Sequence, residues 1–191
     1  LPFFLGLVVG NPVAIAQAMA LPRQYDARIL TRSAGGFVAA LGCAVLAGWV
    51  LDIASLKSAL PGFVSMKANT AVCFVLIGAA LWFSPPDART PGHPYVLRGC
   101  AGAAMALASL VFAQYLFRLD LGIDQLLFLD PLPPGSPDFP GRMVPATSAS
   151  LVLIGAALLL SERGRSTDHM AAQLVAAAAM LPAMIAAVGY G

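Results

Sequence analysis

The chain has 191 residues, of which 59% are apolar and only 10% are charged, and its mean hydropathy is +0.82. A soluble domain usually carries about a quarter charged residues, so the composition argues against a soluble domain and predicts an all-α bundle of lipid-solvated helices. A net charge of +2 is too small to indicate a nucleic-acid partner. The length suits one bundle of about five or six transmembrane helices.

Residues 1–22 form an apolar segment whose role the sequence leaves open. Asn11-Pro12 interrupts it near the middle, where a proline would break or kink a helix. Residues 18–20 (Ala-Met-Ala) resemble a signal-peptidase site. A signal peptide, a kinked extra helix and an interfacial segment are the alternatives for residues 1–22.

Residues 23–191 are expected to form one membrane helical domain with five spans. The spans cover residues 33–51, 68–83, 99–117, 146–160 and 170–190. Asn69 and Thr70 are predicted to cap the second span through their side chains, and Pro182 is predicted to interrupt the fifth.

Three cysteines lie within or beside these spans, at positions 43, 73 and 100. They form no Cys-x-x-Cys motif and no histidine pair accompanies them. We interpret them as small buried thiols, and we expect no disulfide framework, metal site or cofactor.

An internal repeat is the strongest pattern in the chain. Residues 66–81 and 143–158 each contain Val-Leu-Ile-Gly-Ala-Ala-Leu in the same frame, at an offset of 77 (66 to 143). The motif positions are Met66, Asn69, Thr70 and Gly78 in the first copy and Met143, Thr147 and Gly155 in the second. The repeat predicts two tandem membrane hairpins of the same orientation.

Lysine and arginine placement predicts the orientation. Seven of the eleven lie before span one, between spans two and three, or between spans four and five. These segments are therefore expected in the cytoplasm, and the protein in a bacterial inner membrane. Loop 118–145 would then be periplasmic, and we predict that it forms an ordered cap in which residues 123–129 make a short amphipathic helix.

Loop 118–145 also holds the candidate ligand site. Asp120, Asp124 and Asp130, with Asp138 as a further candidate, could gather a cation or a basic ligand at the membrane surface. The alternative is that these carboxylates cap helices, form turns or pair with Arg142 or Arg118. The residues alone do not decide between the two.

Most catalytic and transport chemistries lack support in the sequence. There is no P-loop, Gly-x-Ser-x-Gly, His-Glu-x-x-His or Rossmann motif, so we do not expect an enzyme. His93 and His169 fall in predicted turns, and no predicted span has a charged residue in its interior. Pumps and transporters normally use such intramembrane groups.

Three stretches resemble a known family. Residues 122–128 (Gly-Ile-Asp-Gln-Leu-Leu-Phe), 140–147 (Pro-Gly-Arg-Met-Val-Pro-Ala-Thr) and 66–74 (Met-Lys-Ala-Asn-Thr-Ala-Val-Cys-Phe) are similar to the membrane-associated sensor regions that precede histidine kinase, PAS or diguanylate cyclase modules in bacteria. The second copy departs from the family pattern at Ala146 and Ser148. The resemblance implies a multi-helix input module for signal transduction.

Two functions follow as hypotheses. The first is a non-catalytic sensory module that passes a stimulus to a cytoplasmic effector beyond Gly191. The second is a structural or accessory subunit of a larger membrane complex, which packs through small-residue helix faces. The expected partners are the lipid bilayer and either a second copy of the chain or other membrane subunits. A permease or membrane enzyme is a weaker third alternative.

Overall fold

The computed structural model describes residues 25–57, 65–84, 94–130, 139–162 and 166–189, with side chains from residues 29 to 181 of these ranges, except 166–169. Several predicted features lie outside the described residues: the segment 1–22, the side chains of His93 and His169, and Asp138 of the long loop.

Within the described ranges the chain forms six α-helices, one 3-10 helix and no strand, so the predicted all-α fold is confirmed. The α-helices are α1 (Tyr25–Val50), α2 (Ala54–Lys57), α3 (Ala68–Trp82), α4 (Pro94–Phe117), α5 (Pro145–Ser161) and α6 (Ser166–Gly189). The 3-10 helix (Ile123–Gln125) lies between α4 and α5.

The helices differ from the predicted spans mainly at their amino-terminal ends. Both α1 and α4 begin before the predicted spans and include Arg32 and Arg98, since arginine is a good helix former and a helix need not stop where the apolar run does. The predicted interruption of the last span at Pro182 is wrong, because α6 continues through it to Gly189.

The predicted side-chain cap of α3 is also wrong. The N-cap residue is Lys67, which makes no side-chain cap hydrogen bond. Asn69 and Thr70 instead lie in the first helical turn and are buried. The Asn69 amide donates a hydrogen bond to the carbonyl of Ile123 at 3.4 Å, so this residue joins α3 to the long loop.

The long helices pack in chain order. α3 packs between α1 and α4, and α5 packs between α4 and α6, with a smaller contact between α3 and α5. The central core is lined by small side chains of α4 and by larger ones from its neighbours: Cys73, Ile77, Ala104, Ala108, Val111, Met143 and Leu151. Of the three cysteines expected to be buried, Cys73 is buried, whereas Cys43 is exposed and Cys100 is half-buried.

The two motif glycines make equivalent contacts. A Cβ atom on Gly78 would lie 2.5 Å from the backbone nitrogen of Ala39 and 2.6 Å from the carbonyl oxygen of Gly35, both in α1. A Cβ atom on Gly155 would lie 2.7 Å from Met105 and 3.1 Å from the carbonyl oxygen of Ala101, both in α4. The contacted residues are related by one offset of 66 (35 to 101, 39 to 105). In each repeat the motif helix therefore packs on the helix before it.

The same offset of 66 relates the ends of α1 and α4. Asp52 and Arg118 both have positive φ, at 54° and 53°. The next residue donates its N–H five residues back in both cases, from Ile53 to Gly48 at 2.9 Å and from Leu119 to Gln114 at 3.0 Å. This is the bond pattern of a Schellman helix end.

An aromatic donor bonds the motif methionine in both repeats. Trp49 Nε1 donates to the carbonyl of Met66 at 3.0 Å, and the Tyr115 hydroxyl donates to the carbonyl of Met143 at 3.1 Å. The offset of 66 again relates Trp49 to Tyr115. Shared helix contacts, helix ends and aromatic bonds support the predicted pair of tandem hairpin repeats.

Within the part of the chain that the structure describes, two helices are long and apolar enough to cross a membrane, namely Ile29–Val50 within α1 and Pro94–Phe117. The apolar helices Ala68–Trp82, Pro145–Ser161 and Met170–Leu181 are shorter. In the two long helices only 22% and 28% of the most apolar window is buried. Core helices of soluble proteins are mostly buried, so these exposed apolar surfaces favour an apolar surrounding.

The glycine contacts give a testable prediction. We expect Gly78→Ala to lower the free energy of unfolding by about 1–2 kcal/mol, because overpacking against the α1 backbone outweighs the gain of about 0.5–1 kcal/mol that alanine brings to a helix. Unfolding in mixed micelles, followed by circular dichroism, measures the change. The matched control is Gly102→Ala in α4, where an added Cβ meets no atom within 4 Å and stability should stay equal or rise. Equal stability of the two variants would contradict the packing.

Candidate functional site

Two segments of the long loop lie over one end of the bundle, and we call residues 118–130 and 139–144 the cap. The cap reaches the first repeat as well as its own helices. Lys67, just before α3, forms an ion pair with Asp130, and Trp49 at the end of α1 stacks at a tilt on Phe128, with ring centroids 5.7 Å apart. Together with the bond from Asn69 to Ile123, these contacts confirm the predicted ordered cap for the described part of the loop.

A buried ion pair forms the centre of the cap. The side chain of Arg142 is 2% exposed and that of Asp124 is 5% exposed, and Arg142 Nε donates to Asp124 Oδ2 at 2.7 Å. Burying a charge is costly unless it is paired and hydrogen-bonded. Both charges here satisfy that condition, because Gln114 supplies further bonds.

Gln114 joins the ion pair to α4. Its side chain, fully buried, accepts a hydrogen bond from Arg142 Nη2 at 3.0 Å and donates one to Asp124 Oδ1 at 3.3 Å. The same Gln114 oxygen accepts the backbone N–H of Leu121 at 2.9 Å. Three segments therefore meet at one polar network: the end of α4, the 3-10 helix and the turn before α5.

Aromatic rings enclose the guanidinium of Arg142. Its central carbon lies 4.1 Å from the ring centroid of Phe139 and 5.4 Å from that of Tyr115. A cation over an aromatic face is attracted by the ring quadrupole, most strongly where water is excluded. Tyr115 also donates a hydrogen bond to the carbonyl of Met143. Tyr115 therefore fixes the backbone next to Arg142 and packs against the guanidinium of Arg142.

The turn that delivers Arg142 depends on a glycine. Gly141 has φ +70°, and a Cβ atom there would lie 2.5 Å from the carbonyl oxygen of Asp124. A side chain at position 141 would therefore separate the turn from the 3-10 helix. The backbone N–H of Arg142 closes the turn by donating to Phe139 at 3.3 Å.

The structure brings three of the four predicted ligand residues together, Asp120, Asp124 and Arg142, and places Asp130 apart from them. Asp124 and Arg142 form the buried pair, whereas Asp130 pairs with Lys67. The Asp120 side chain is 77% exposed and lies 3.4 Å from Arg142 Nη2. Among the residues with described side chains, no group of three or more His, Cys, Asp or Glu could hold a metal ion.

The predicted amphipathic helix over residues 123–129 is wrong. Only Ile123–Gln125 is helical, and it is a 3-10 helix. Asp124 turns inward to Arg142, and the chain then extends so that Phe128 reaches Trp49 and Asp130 reaches Lys67. Residues 126–130 are not helical, and their contacts with Trp49 and Lys67 hold this stretch against the first repeat.

Sequence reasoning missed two residues of the network, Gln114 and Tyr115. Gln114 is the one amide side chain in α4, and an isolated amide in an apolar helix is a signal for a buried hydrogen-bond partner. Tyr115 carries no comparable signal, because aromatic residues near helix ends are common at membrane interfaces.

A pocket of about 330 Å³ lies beside the ion pair. Its lining contains the carboxylates of Asp120 and Asp124, the guanidinium of Arg142 and the ring of Phe139. Gly122, Gln125 and Pro140 complete the wall. Two negative groups face one positive group, so the charge of the lining favours a cationic occupant.

The first repeat also places a cation over its aromatic donor, at the surface. Lys57 Nζ lies 4.6 Å from the ring centroid of Trp49 and pairs with Asp52, whose side chain is 90% exposed. The hydrogen bond from Lys57 holds the pKa of the Asp52 carboxyl below its ordinary value. The cation over an aromatic ring thus occurs in both repeats, but only the second repeat buries its charges.

A scan against protein-family models, a search of curated proteins and a search of solved structures gave no match. The resemblance to bacterial membrane sensor regions therefore stays a prediction.

The ion pair gives the second testable prediction. We expect Asp124→Asn to lower the free energy of unfolding by about 3–5 kcal/mol, because it leaves the buried Arg142 with only the mostly exposed Asp120 as a negative partner. The double variant Asp124→Leu with Arg142→Met should lose less than Asp124→Asn, since it removes both charges. Unfolding in mixed micelles measures both variants.

The control for this prediction is Asp120→Asn in the same cap. Its carboxylate is mostly exposed, and exposed ion pairs contribute less than about 1 kcal/mol. A loss for Asp124→Asn no larger than that for Asp120→Asn would show that the pair carries little of the stability.

Proposed function

We propose that the chain is a non-catalytic sensory input module of a bacterial signalling protein, embedded in the inner membrane through about five transmembrane helices. The cap lies on the periplasmic side and receives the stimulus. The helices carry the change towards a cytoplasmic effector. The resemblance of residues 66–74, 122–128 and 140–147 to membrane sensor regions favours this function.

One observation carries the proposal: the buried network joins the cap to two helices at once. Gln114 belongs to α4, Asp124 to the cap, and Arg142 lies three residues before α5. A molecule that displaced Asp124 from Arg142 would release the start of α5. Because α5 packs on α4 and α6, a shift of α5 would reach the last helix. Small helix shifts of about 1–2 Å are a common form of signal transfer.

The pocket beside the pair is the entry point for a stimulus in this proposal. Its excess of negative charge suits a small cation or a basic molecule, with Asp120 as the exposed group that meets it first. Such a ligand would compete with Arg142 for the two aspartates. A ligand that changes the partner of a buried charge has a different binding free energy in the two conformations, with and without the Asp124–Arg142 pair. Such a difference is required for a ligand to shift the balance between two conformations.

The charge distribution supports the proposed membrane placement. At the end of the bundle opposite the cap, Arg98 near the start of α4 forms an ion pair with Glu162 after α5, at 2.8 Å. By sequence, seven of the eleven basic residues belong to the segments predicted to lie on the cytoplasmic side.

A second function, an accessory subunit of a membrane complex, is favoured by the outer face of α4. Gly99 and Gly102 have no atom within 4 Å of an added Cβ, and Ala103 and Ala106 beside them are exposed. Small residues at this spacing let another helix approach closely in lipid. A partner helix could occupy this face in either function.

Distance measurements between spin labels test the sensory proposal. One label is placed at Leu110 of α4 and one at Leu174 of α6, both exposed positions, and the distances are measured by pulsed electron resonance in nanodiscs. We expect Asp124→Asn to shift the distance distribution by about 1–2 Å or to add a second population. Asp52→Asn, which breaks an exposed pair at the same end, is the control and should leave it unchanged.

Identical distributions in the parent protein and in Asp124→Asn would contradict the sensory proposal. Purification of the native protein in gentle detergent would then test the second function. An intact mass near that of this chain alone, with stoichiometric membrane partners, would identify an accessory subunit.

A further inference from the structure

The cap carries exposed leucines that the polar network does not use. Leu126 and Leu129 are each 78% exposed, Leu127 is 51% exposed and Leu121 is 47% exposed. We call these four residues the leucine rim. A loop in water normally shows polar side chains, and an exposed apolar group of this kind marks a surface that contacts an apolar partner.

Most charged groups of the cap are buried or paired, unlike the leucine rim. Arg142 and Asp124 are buried in the network, and the paired side chains of Lys67 and Asp130 are only 15% and 16% exposed. Among the cap's described residues, the exposed charged groups are Arg118 and Asp120. The cap therefore pairs most of its charges inside and shows leucine outside, and a charged side chain at a membrane boundary can keep its head in water.

The rim continues an apolar surface that begins on α4. In the last turn of α4, Leu116 is 67% exposed and Phe117 is 65% exposed, and Leu119 follows at 48%. Two exposed charged residues, Arg118 and Asp120, alternate with these apolar positions before Leu121 and the rest of the rim. A lipid surface that covers the end of α4 would reach the rim with the charged ends of these two side chains at the headgroups.

The length of α4 places the cap at a membrane boundary. Arg98 and its partner Glu162 mark the charged end of the bundle. From Arg98 to Phe117 the helix rises about 28 Å at 1.5 Å per residue, and the hydrocarbon core of a bilayer is about 30 Å thick. The opposite boundary then falls where α4 ends and the cap begins.

We propose that the leucine rim inserts into the lipid leaflet at the cap end of the bundle, at the boundary between headgroups and acyl chains. The occupant of this apolar surface is the lipid itself. Apolar side chains at such a boundary typically reach about 5–10 Å into it. This inference rests on the membrane placement in the proposed function. It adds that the cap is part of the membrane-contacting surface.

Depth measurements with spin labels in lipid nanodiscs test the rim. Single cysteines replace Leu126, Leu129, Asp120 and Phe112, one at a time. The background carries Cys43→Ala, Cys100→Ala and Cys73→Ser, because Ser150 occupies the position equivalent to Cys73 in the second repeat. Collision with oxygen, which partitions into lipid, is compared with collision with a water-soluble nickel chelate.

Labels at Leu126 and Leu129 should show a higher oxygen-to-nickel collision ratio than the label at Asp120 and a lower one than the label at Phe112, which is exposed in α4 five residues before its end. Ratios at Leu126 and Leu129 equal to that of Asp120 would overturn the inference while leaving the membrane placement intact. Shielding of both labels from oxygen and nickel alike would also overturn it, because a protein partner would then cover the rim. An aqueous ratio at Phe112 would overturn the membrane placement itself.

Discussion

The buried pair of Arg142 and Asp124 is the constraint on which the cap depends. A guanidinium and a carboxylate with almost no exposure must find partners inside the protein, and the fold supplies them from Gln114 and from the backbone around it. Meeting this requirement fixes where the 3-10 helix lies and why position 141 is a glycine. Arg142 lies three residues before α5, so pairing its buried charge also fixes where α5 begins relative to α4.

The duplication explains how such a cap could arise without disturbing the bundle. Both repeats use a glycine to bring the motif helix onto the preceding helix, and both use an aromatic donor to hold the motif methionine. The connection between these fixed points runs from position 53 to 66 in the first repeat and from 119 to 143 in the second, where it is nearly twice as long. The longer connection provides Asp124 and Arg142, whereas the first repeat keeps its cation, Lys57, at an exposed pair. The helices are therefore the shared scaffold and the cap is the specialised part.

Sequence patterns predicted the features that depend on composition and recurrence. The all-α fold followed from hydropathy, and the repeat followed from the identical motif around Gly78 and Gly155. The predicted ordered cap is confirmed for the described residues of the long loop. The patterns failed where a tertiary contact decided the outcome. The sequence predicts Asn69 as a helix cap, but its side chain bonds Ile123. The sequence also predicts one helix over residues 123–129, but only Ile123–Gln125 is helical and its Asp124 pairs with Arg142. Gln114 belongs to the network although it lies far from Arg142 along the chain, and spacing in the sequence does not reveal such a contact.

Hydrogen exchange at the backbone amide of Leu121 tests the central claim most directly. This amide lies in a loop outside any helix, and its partner is the side-chain oxygen of Gln114, held in place by Arg142. Exchange in lipid nanodiscs, resolved to single residues by mass spectrometry, should be slow at Leu121, close to the rate of the last turn of α4. Exchange at the rate of a free peptide would contradict the account, because the network would then not hold the cap on the helices.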